Sequence, residues 1–158
     1  MKFKVELSRF SSILTILTLG LLIVALIATR HETDKFILLA VIILAVLIPS
    51  MFYAPMSVTI TDEEVCVNSP FKIHTIPMRR IVSAERYQPT MGSIRLIGSG
   101  GFMGYFGIFR EGDTGRYMAY YGKSSDCILL RLDNGDKYVI GCKDPDTALR
   151  LIRSHLPA

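Results

Sequence analysis

Two long uncharged apolar runs at the start of the chain constrain everything that follows. Residues 10–29 contain no Asp, Glu, Lys or Arg, and neither do residues 36–61. Positions 13–29 hold eleven Leu, Ile or Val, and positions 36–53 hold twelve Leu, Ile, Val or Phe. About 20 helical residues cover a hydrocarbon core of roughly 30 Å, so each run is long enough to span a bilayer. At roughly −0.3 to −0.6 kcal/mol per large apolar residue near a helix centre, each gains about 3–7 kcal/mol on insertion. Thr15, Thr18 and Gly20 offset little of that. A soluble helix keeps a polar face, and these two have none.

The first run is not read as a cleaved signal peptide. Lys2, Lys4 and Arg9 do resemble its positive start, but the apolar stretch is longer than a usual signal core. Ala25-Leu26-Ile27-Ala28 lacks a small-x-small cleavage pattern, and a second span follows at once. The expected organisation is a cytoplasmic flank over residues 1–9, spans over 10–29 and 36–55, a short loop over 30–35, and a soluble domain over 56–158. The loop is so short that the helices must be antiparallel neighbours, with both outer ends on one side. Three Lys/Arg in the flank against two in the loop favour cytoplasmic termini. Cys66, Cys127 and Cys142 are odd in number and lack metal-type spacing, which suits reduced cytosolic thiols.

Beyond Pro55 the period changes to that of strands. Val58-Thr59-Ile60-Thr61 and Val65-Cys66-Val67 alternate around a polar Asp62-Glu63 turn. Asn68-Ser69-Pro70 stops that run, and Phe71, Ile73 and Ile76 continue with period two. Residues 81–87, 116–121, 127–132 and 137–140 read as further strands, the last two joined by Asn134-Gly135, a strong hairpin signal. The end is helical: Asp144 caps, Pro145 occupies the first turn, Leu149, Ile152 and Leu156 share a face, and Pro157 stops the helix.

This order of elements resembles the bacterial pleckstrin-homology (PH-like) domain family. The resemblance rests on residues 58–65, on Ile76-Pro77-Met78-Arg79-Arg80-Ile81-Val82-Ser83-Ala84-Glu85, and on residues 129–140 leading into Asp144-Pro145-Asp146. It implies a bent antiparallel sheet or partly open barrel plugged by the C-terminal helix, here behind a membrane α-helical hairpin. It also implies residence in the bacterial cytoplasmic membrane as a multi-pass protein. The family supplies no catalytic constellation and no cofactor, so no enzyme is expected. PH-like domains elsewhere bind phosphoinositides, peptides or proteins, and fold alone does not choose among them. The loop joining the first two strands, Thr61-Asp62-Glu63-Glu64, is acidic, which disfavours a phosphoinositide there.

Two groups of residues are candidate contact surfaces. Residues 98–109 hold five glycines and four aromatics. This is not G-x-G-x-x-G, since Met103 takes the third glycine's place, and it lacks Gly-Lys-Ser/Thr at the P-loop spacing. Either the glycines bend the sheet and the aromatics fill its core, or Phe102, Met103, Tyr105 and Phe106 form an exposed loop flanked by Arg95 and Arg110. Such a loop would meet the bilayer interface, the hairpin or a protein partner. Charge is also uneven. Residues 56–71 carry three acids and no base, while residues 72–123 carry eight bases and three acids. Lys72, Arg79, Arg80 and Arg86, with Arg95, Arg110, Arg116 and Lys123, are a candidate basic face toward anionic lipid. The modest charge and lack of a reading motif exclude nucleic acid as the expected partner. His31, His74 and His155 are too scattered to suggest a metal or a catalytic pair. The spans hold no Asp, Glu, Lys, Arg or His, which argues against transport by this chain alone. The expected function is a membrane-tethered binding or scaffolding module for a protein or anionic lipid. The alternative is an accessory or regulatory subunit of a larger membrane complex, contacting it through the hairpin.

Overall fold

A computed structural model describes residues 1–90 and 92–156. The chain begins with a short strand, β1 (Lys2–Lys4), before two helices, α1 (Arg9–Ala28) and α2 (Thr33–Tyr53). Strands β2 (Ser57–Ile60), β3 (Glu64–Asn68) and β4 (Ile73–Pro77) follow. A 3-10 turn (Met78–Arg80) leads into β5 (Ile81–Tyr87), β6 (Ile94–Gly101), β7 (Gly104–Glu111) and β8 (Gly115–Tyr121). A second 3-10 turn precedes β9 (Cys127–Leu132) and β10 (Lys137–Gly141), and α3 (Pro145–Ser154) closes the domain.

The two first helices are each long and apolar enough to cross a membrane. Their burial is the reverse of a soluble helix. The one buried residue of α1 is Ser11 and the one buried residue of α2 is Ser50, while the large aliphatic side chains face outward. A helix in a soluble core buries its apolar stripe and turns its hydroxyls to water. Ser8 caps α1 by accepting the Ser11 N–H at 3.1 Å, and Ser50 donates back to Val46 O at 2.8 Å beside Pro49.

The remaining chain is mainly β, in two unclosed sheets with orders β1-β2-β3-β4 and β5-β9-β10-β8-β7-β6. All neighbours are antiparallel except β8 and β10, which pair in parallel with Tyr138 opposite Met118. The β9–β10 hairpin, turning at Gly135, is inserted between β5 and β8, so its second strand meets β8 from the same direction. Asp144 caps α3 by accepting the Thr147 N–H at 3.1 Å, and fully buried Ala148 and Ile152 pack into the main core with Leu149. The stop expected at Pro157 lies outside the described residues.

Strand alternation builds two cores. Ile128, Leu130 and Leu132 of β9 face the main core with Val58, Val65, Ile140 and α3. Cys127 and Leu129 face the opposite side, where they meet Phe109, Tyr117 and Tyr121. Above this second core, Tyr87 donates to Glu111 at 2.5 Å and Glu111 accepts the Thr90 N–H at 3.0 Å.

The fold departs from the sequence reading at the N-terminal flank and gives the glycine-rich segment the sheet structure of its first alternative. The N-terminal flank is a strand: Phe3 is buried in the main core and pairs with Val58. The glycine-rich segment forms the paired strands β6 and β7 and the turn between them, with Gly98 and Gly107 facing each other at φ of 116° and 115°. A Cβ at Gly98 would strike Phe106 O, and one at Gly107 would strike Ile97 O. Only glycine lets the two backbones cross this closely without breaking the ladder.

Candidate interface with the apolar hairpin

The β domain is seated on the base of the helical hairpin through both of its ends. Val5 N–H bonds to Met56 O at 2.9 Å, Ser8 N–H to Gly122 O at 2.8 Å, and Lys143 N–H to Lys4 O at 2.8 Å. Lys143 also pairs with Glu6 at 2.8 Å. The segment entering α1 and the segment leaving α2 therefore belong to the same sheet, and both ends of the hairpin open onto one domain.

The β6–β7 turn reaches past this base along α1. Ser11 donates its hydroxyl to Gly101 O, and Met103 donates its N–H to Thr15 Oγ1 at 2.8 Å. Ser99 donates to Phe102 O at 2.7 Å. Each of these turn groups is thus paired by a side chain. Gly101, at φ 136°, permits the approach: a Cβ there would sit 3.0 Å from Leu14 and 3.3 Å from Phe10. Met103 holds a left-handed φ of 54°, uncommon for a residue with a long side chain, in the conformation that aims its N–H at Thr15. Ser11 and Thr15 are four residues apart on one helix face, so a single stripe of hydroxyls holds the turn.

On the other side, the β3–β4 turn docks on the end of α2. Phe71 N–H bonds to Met51 O at 3.2 Å, and the Phe71 and Phe52 rings lie 5.9 Å apart. His74 donates from Nε2 to Phe52 O at 3.1 Å and stands between Tyr53 and Tyr120, at 5.2 and 4.8 Å. Burial lowers its pKa, and the nearby Lys72 charge works in the same direction.

The residues singled out from the sequence divide among different places. Phe102 and Met103 are half-buried at the turn on α1. Tyr105 is half-buried and stacks on Tyr121 at 4.8 Å, on the second-core face. Phe106 is not an exposed contact residue: it is 5% exposed in the main core opposite Tyr120. Successive strand residues point to opposite faces, so Tyr105 and Phe106 could not share a surface. Arg95 folds back over Gly100, whereas Arg110 pairs across from Ile94 at the far end of the hairpin. Seven residues of extended strand carry Arg110 about 23 Å from Met103, so it does not flank the turn.

The candidate basic face is dispersed in the same way. Lys72 and Arg79 lie beyond opposite ends of β4. Arg80 pairs with Asp133 at 3.2 Å, and Arg86 pairs with Asp146 at 3.5 Å and donates to Ser125 O. The acidic turn Asp62-Glu63-Glu64 faces Arg79 and His155 across a shallow cleft of about 450 Å³, with His155 3.0 Å from Asp62. A second cleft of about 420 Å³ is walled by Tyr105, Tyr121 and Pro89. Among the described residues no group of His, Cys, Asp or Glu side chains is arranged to hold a metal ion.

The profile of the bacterial PH domain matches residues 56–156. The chain belongs to the bacterial PH domain family. The match covers β2 through α3 and leaves β1, α1 and α2 outside it. PH domains are in general non-catalytic binding modules, which supports a binding or scaffolding role for this one. No curated protein and no solved structure matches the chain. The sequence missed Ser11, Thr15, Phe71 and His74. The signal for the first two was present, as two hydroxyls four residues apart, and so on one face, in a strongly apolar run.

Proposed function

We propose that this bacterial PH domain is a membrane-tethered binding or scaffolding module, held at the cytoplasmic face of the bacterial inner membrane by its own hairpin. The observation that carries the reading is the inverted burial of α1 and α2, where the hydroxyls point inward and the large aliphatic side chains point out. Such a surface is stable in lipid and not in water. The pairing of β1 with β2 supports termini on one side, and Lys2, Lys4 and Arg9 favour the cytoplasm. The role is non-enzymatic.

With one end of the domain seated on the hairpin, recognition falls to surfaces facing away from it. Among the described residues β6 has no partner strand on its outer side; its Gly101 end rests on α1, and its other end exposes Ile94, Leu96 and Ile97. It suits an extended segment of another protein, added as a strand. The acidic β2–β3 turn makes an anionic phosphoinositide headgroup a poor ligand at that end.

Site-specific photocrosslinking in native membranes tests this reading with the full chain. A photoreactive residue at Leu96 is expected to capture a discrete protein partner, and one at Val41, on the exposed face of α2, is expected to yield lipid adducts only. Capture from position 41 and not from 96 replaces this reading with that of an accessory or regulatory subunit bound through its hairpin.

A further inference from the structure

The β3–β4 turn carries apolar and cationic side chains that the packing of the domain leaves uncovered. Phe71 is 63% exposed and Ile73 is 60% exposed at the tip of a turn. Beside them, Phe52 and Tyr53 at the end of α2 are 39% and 38% exposed. The Lys72 ammonium sits 5.5 Å from the centre of the Tyr53 ring. In water, two large apolar side chains at a turn tip gain nothing from this position.

The turn's height along α2 identifies what covers it. Phe71 is bonded to Met51 O, two residues before the last residue of the helix. That places the turn about 3 Å inside the helix end. A bilayer of roughly 40–45 Å with a core of about 30 Å leaves an interfacial layer of roughly 5–7 Å on each side. If α2 fills the core, the turn meets the boundary between the core and that layer. The side chains match that boundary: Phe71, Ile73 and Phe52 are wholly apolar and suit its core side, while the Tyr53 hydroxyl and the Lys72 ammonium suit the headgroup side. Phe52 and Ile48 are both exposed and four residues apart on α2, so the patch shares a face with the outward surface of the helix. On the opposite helix, the β6–β7 turn has its backbone groups paired by Ser11, Thr15 and Ser99, as a turn withdrawn from water needs.

We propose that Phe71, Lys72 and Ile73, with Phe52 and Tyr53, form an interfacial anchor at the boundary between the hydrocarbon core and the headgroup layer of the bilayer α2 crosses. The β6–β7 turn braces the other helix, so the domain is held at a fixed attitude on the membrane. The proposal rests on the membrane-spanning reading above. Its occupant is lipid, because the patch shares a face with the outward surface of the span and its one charge is cationic.

The chain contains no tryptophan, so single-tryptophan variants report cleanly. Phe71→Trp, Ile42→Trp at mid-helix and Val82→Trp on β5 are compared as full chains in vesicles of phosphatidylcholine and phosphatidylglycerol. Quenching is measured with lipids brominated near the headgroup, with lipids brominated deep in the tail, and with aqueous acrylamide. The tryptophan at 71 is expected to be quenched by headgroup-proximal bromine roughly twofold or more above the one at 82, and to be shielded from acrylamide. The tryptophan at 42 is expected to respond to deep bromine. If 42 responds and 71 behaves like 82, the anchor is wrong and the spans stand. If 71 is shielded from acrylamide and bromine alike, protein covers the turn and the lipid assignment is wrong. If 42 does not respond to lipid bromine, the spanning reading fails and the anchor with it.

Discussion

Thr15 accepts the backbone N–H of Met103 at 2.8 Å, although 88 residues separate them. The same hydroxyl donates to Ser11 O at 2.7 Å, so both of its hydrogen-bonding functions are used. Thr15→Val keeps the shape and removes the acceptor, leaving the Met103 N–H unpaired. That costs about 1–3 kcal/mol. Thr15→Ser restores the oxygen. Thermal melts of the full chain in mild detergent are expected to place Thr15→Val clearly below the parent and Thr15→Ser close to it. Equal melting of all three would show that the turn contributes nothing to the docking.

His74 links the helix end to the sheet through Phe52 O and Tyr120, and it does so best as a neutral ring. Its folded pKa lies below the ordinary 6.5 because burial disfavours the charged form. Above 6.5 the ring is neutral whether the chain is folded or not, and the contact contributes fully. As pH falls below 6.5 the unfolded chain takes up the proton first, so stability declines until the folded ring is also protonated. Melting temperature measured between about pH 5 and 8 is expected to fall more steeply on the acid side for the parent than for His74→Gln. Other titrating groups contribute to both proteins and cancel in the difference. Parallel curves would remove His74 from the account.

Much of this fold is written locally. The β5 and β9 strands, the Asn134-Gly135 turn and the Asp144 cap each carry their own short-range signal, and each appears where that signal lies. What was illegible depends on distant partners. The segment Lys2-Phe3-Lys4 is too short and charged to read as a strand until β2, more than fifty residues later, offers its edge. Residues 98–109 lack the composition of a strand, because two glycines hold the ladder together only by facing each other. Ser11 and Thr15 look like minor interruptions in a strongly apolar helix until the β6–β7 turn arrives beside them.

The three native thiols give a quiet background for topology mapping. Burial pushes the Cys142 thiol up to about 12, holds Cys127 well above its ordinary value, and raises Cys66, with the Glu64 contact adding to it. Little thiolate is present at neutral pH, and all three side chains are buried, so reaction with maleimide is slow. Thr33→Cys, in the loop-side turn of α2, is expected to react with an impermeant maleimide in intact cells. Arg150→Cys on α3 is expected to react only after the cells are opened. The opposite pattern would place the domain outside.

The β1 strand makes the first residues part of the domain's stability. Phe3 is 8% exposed in the main core, and Phe3→Ala is expected to cost about 3–5 kcal/mol. A fragment of residues 56–158 should also suffer, because it leaves the β2 edge open to pairing with other chains. A peptide of residues 1–7 added in trans is expected to raise the fragment's melting temperature, and the same peptide with Phe3→Ser is not. No difference between the two peptides would mean that β1 adds no specific packing.

Phe102 and Phe106 stand close in sequence and are expected to respond in opposite ways to truncation. Phe106 fills the main core between β7 and β8, so Phe106→Ala is expected to cost about 3–5 kcal/mol. A domain with a net stability of about 5–15 kcal/mol loses a large share of it. Phe102 is half-buried at the turn, and the bonds that hold the turn use backbone atoms: Gly101 O, Phe102 O and Met103 N. Phe102→Ser leaves those bonds in place and is expected to cost about 1 kcal/mol, within the range of ordinary surface-proximal changes. The double variant should therefore melt close to Phe106→Ala alone. Denaturant titrations of the three proteins in the same detergent decide it. A Phe102→Ser variant as damaged as Phe106→Ala would show that the ring itself, and not the backbone bonds to Ser11 and Thr15, seats the β6–β7 turn on the hairpin.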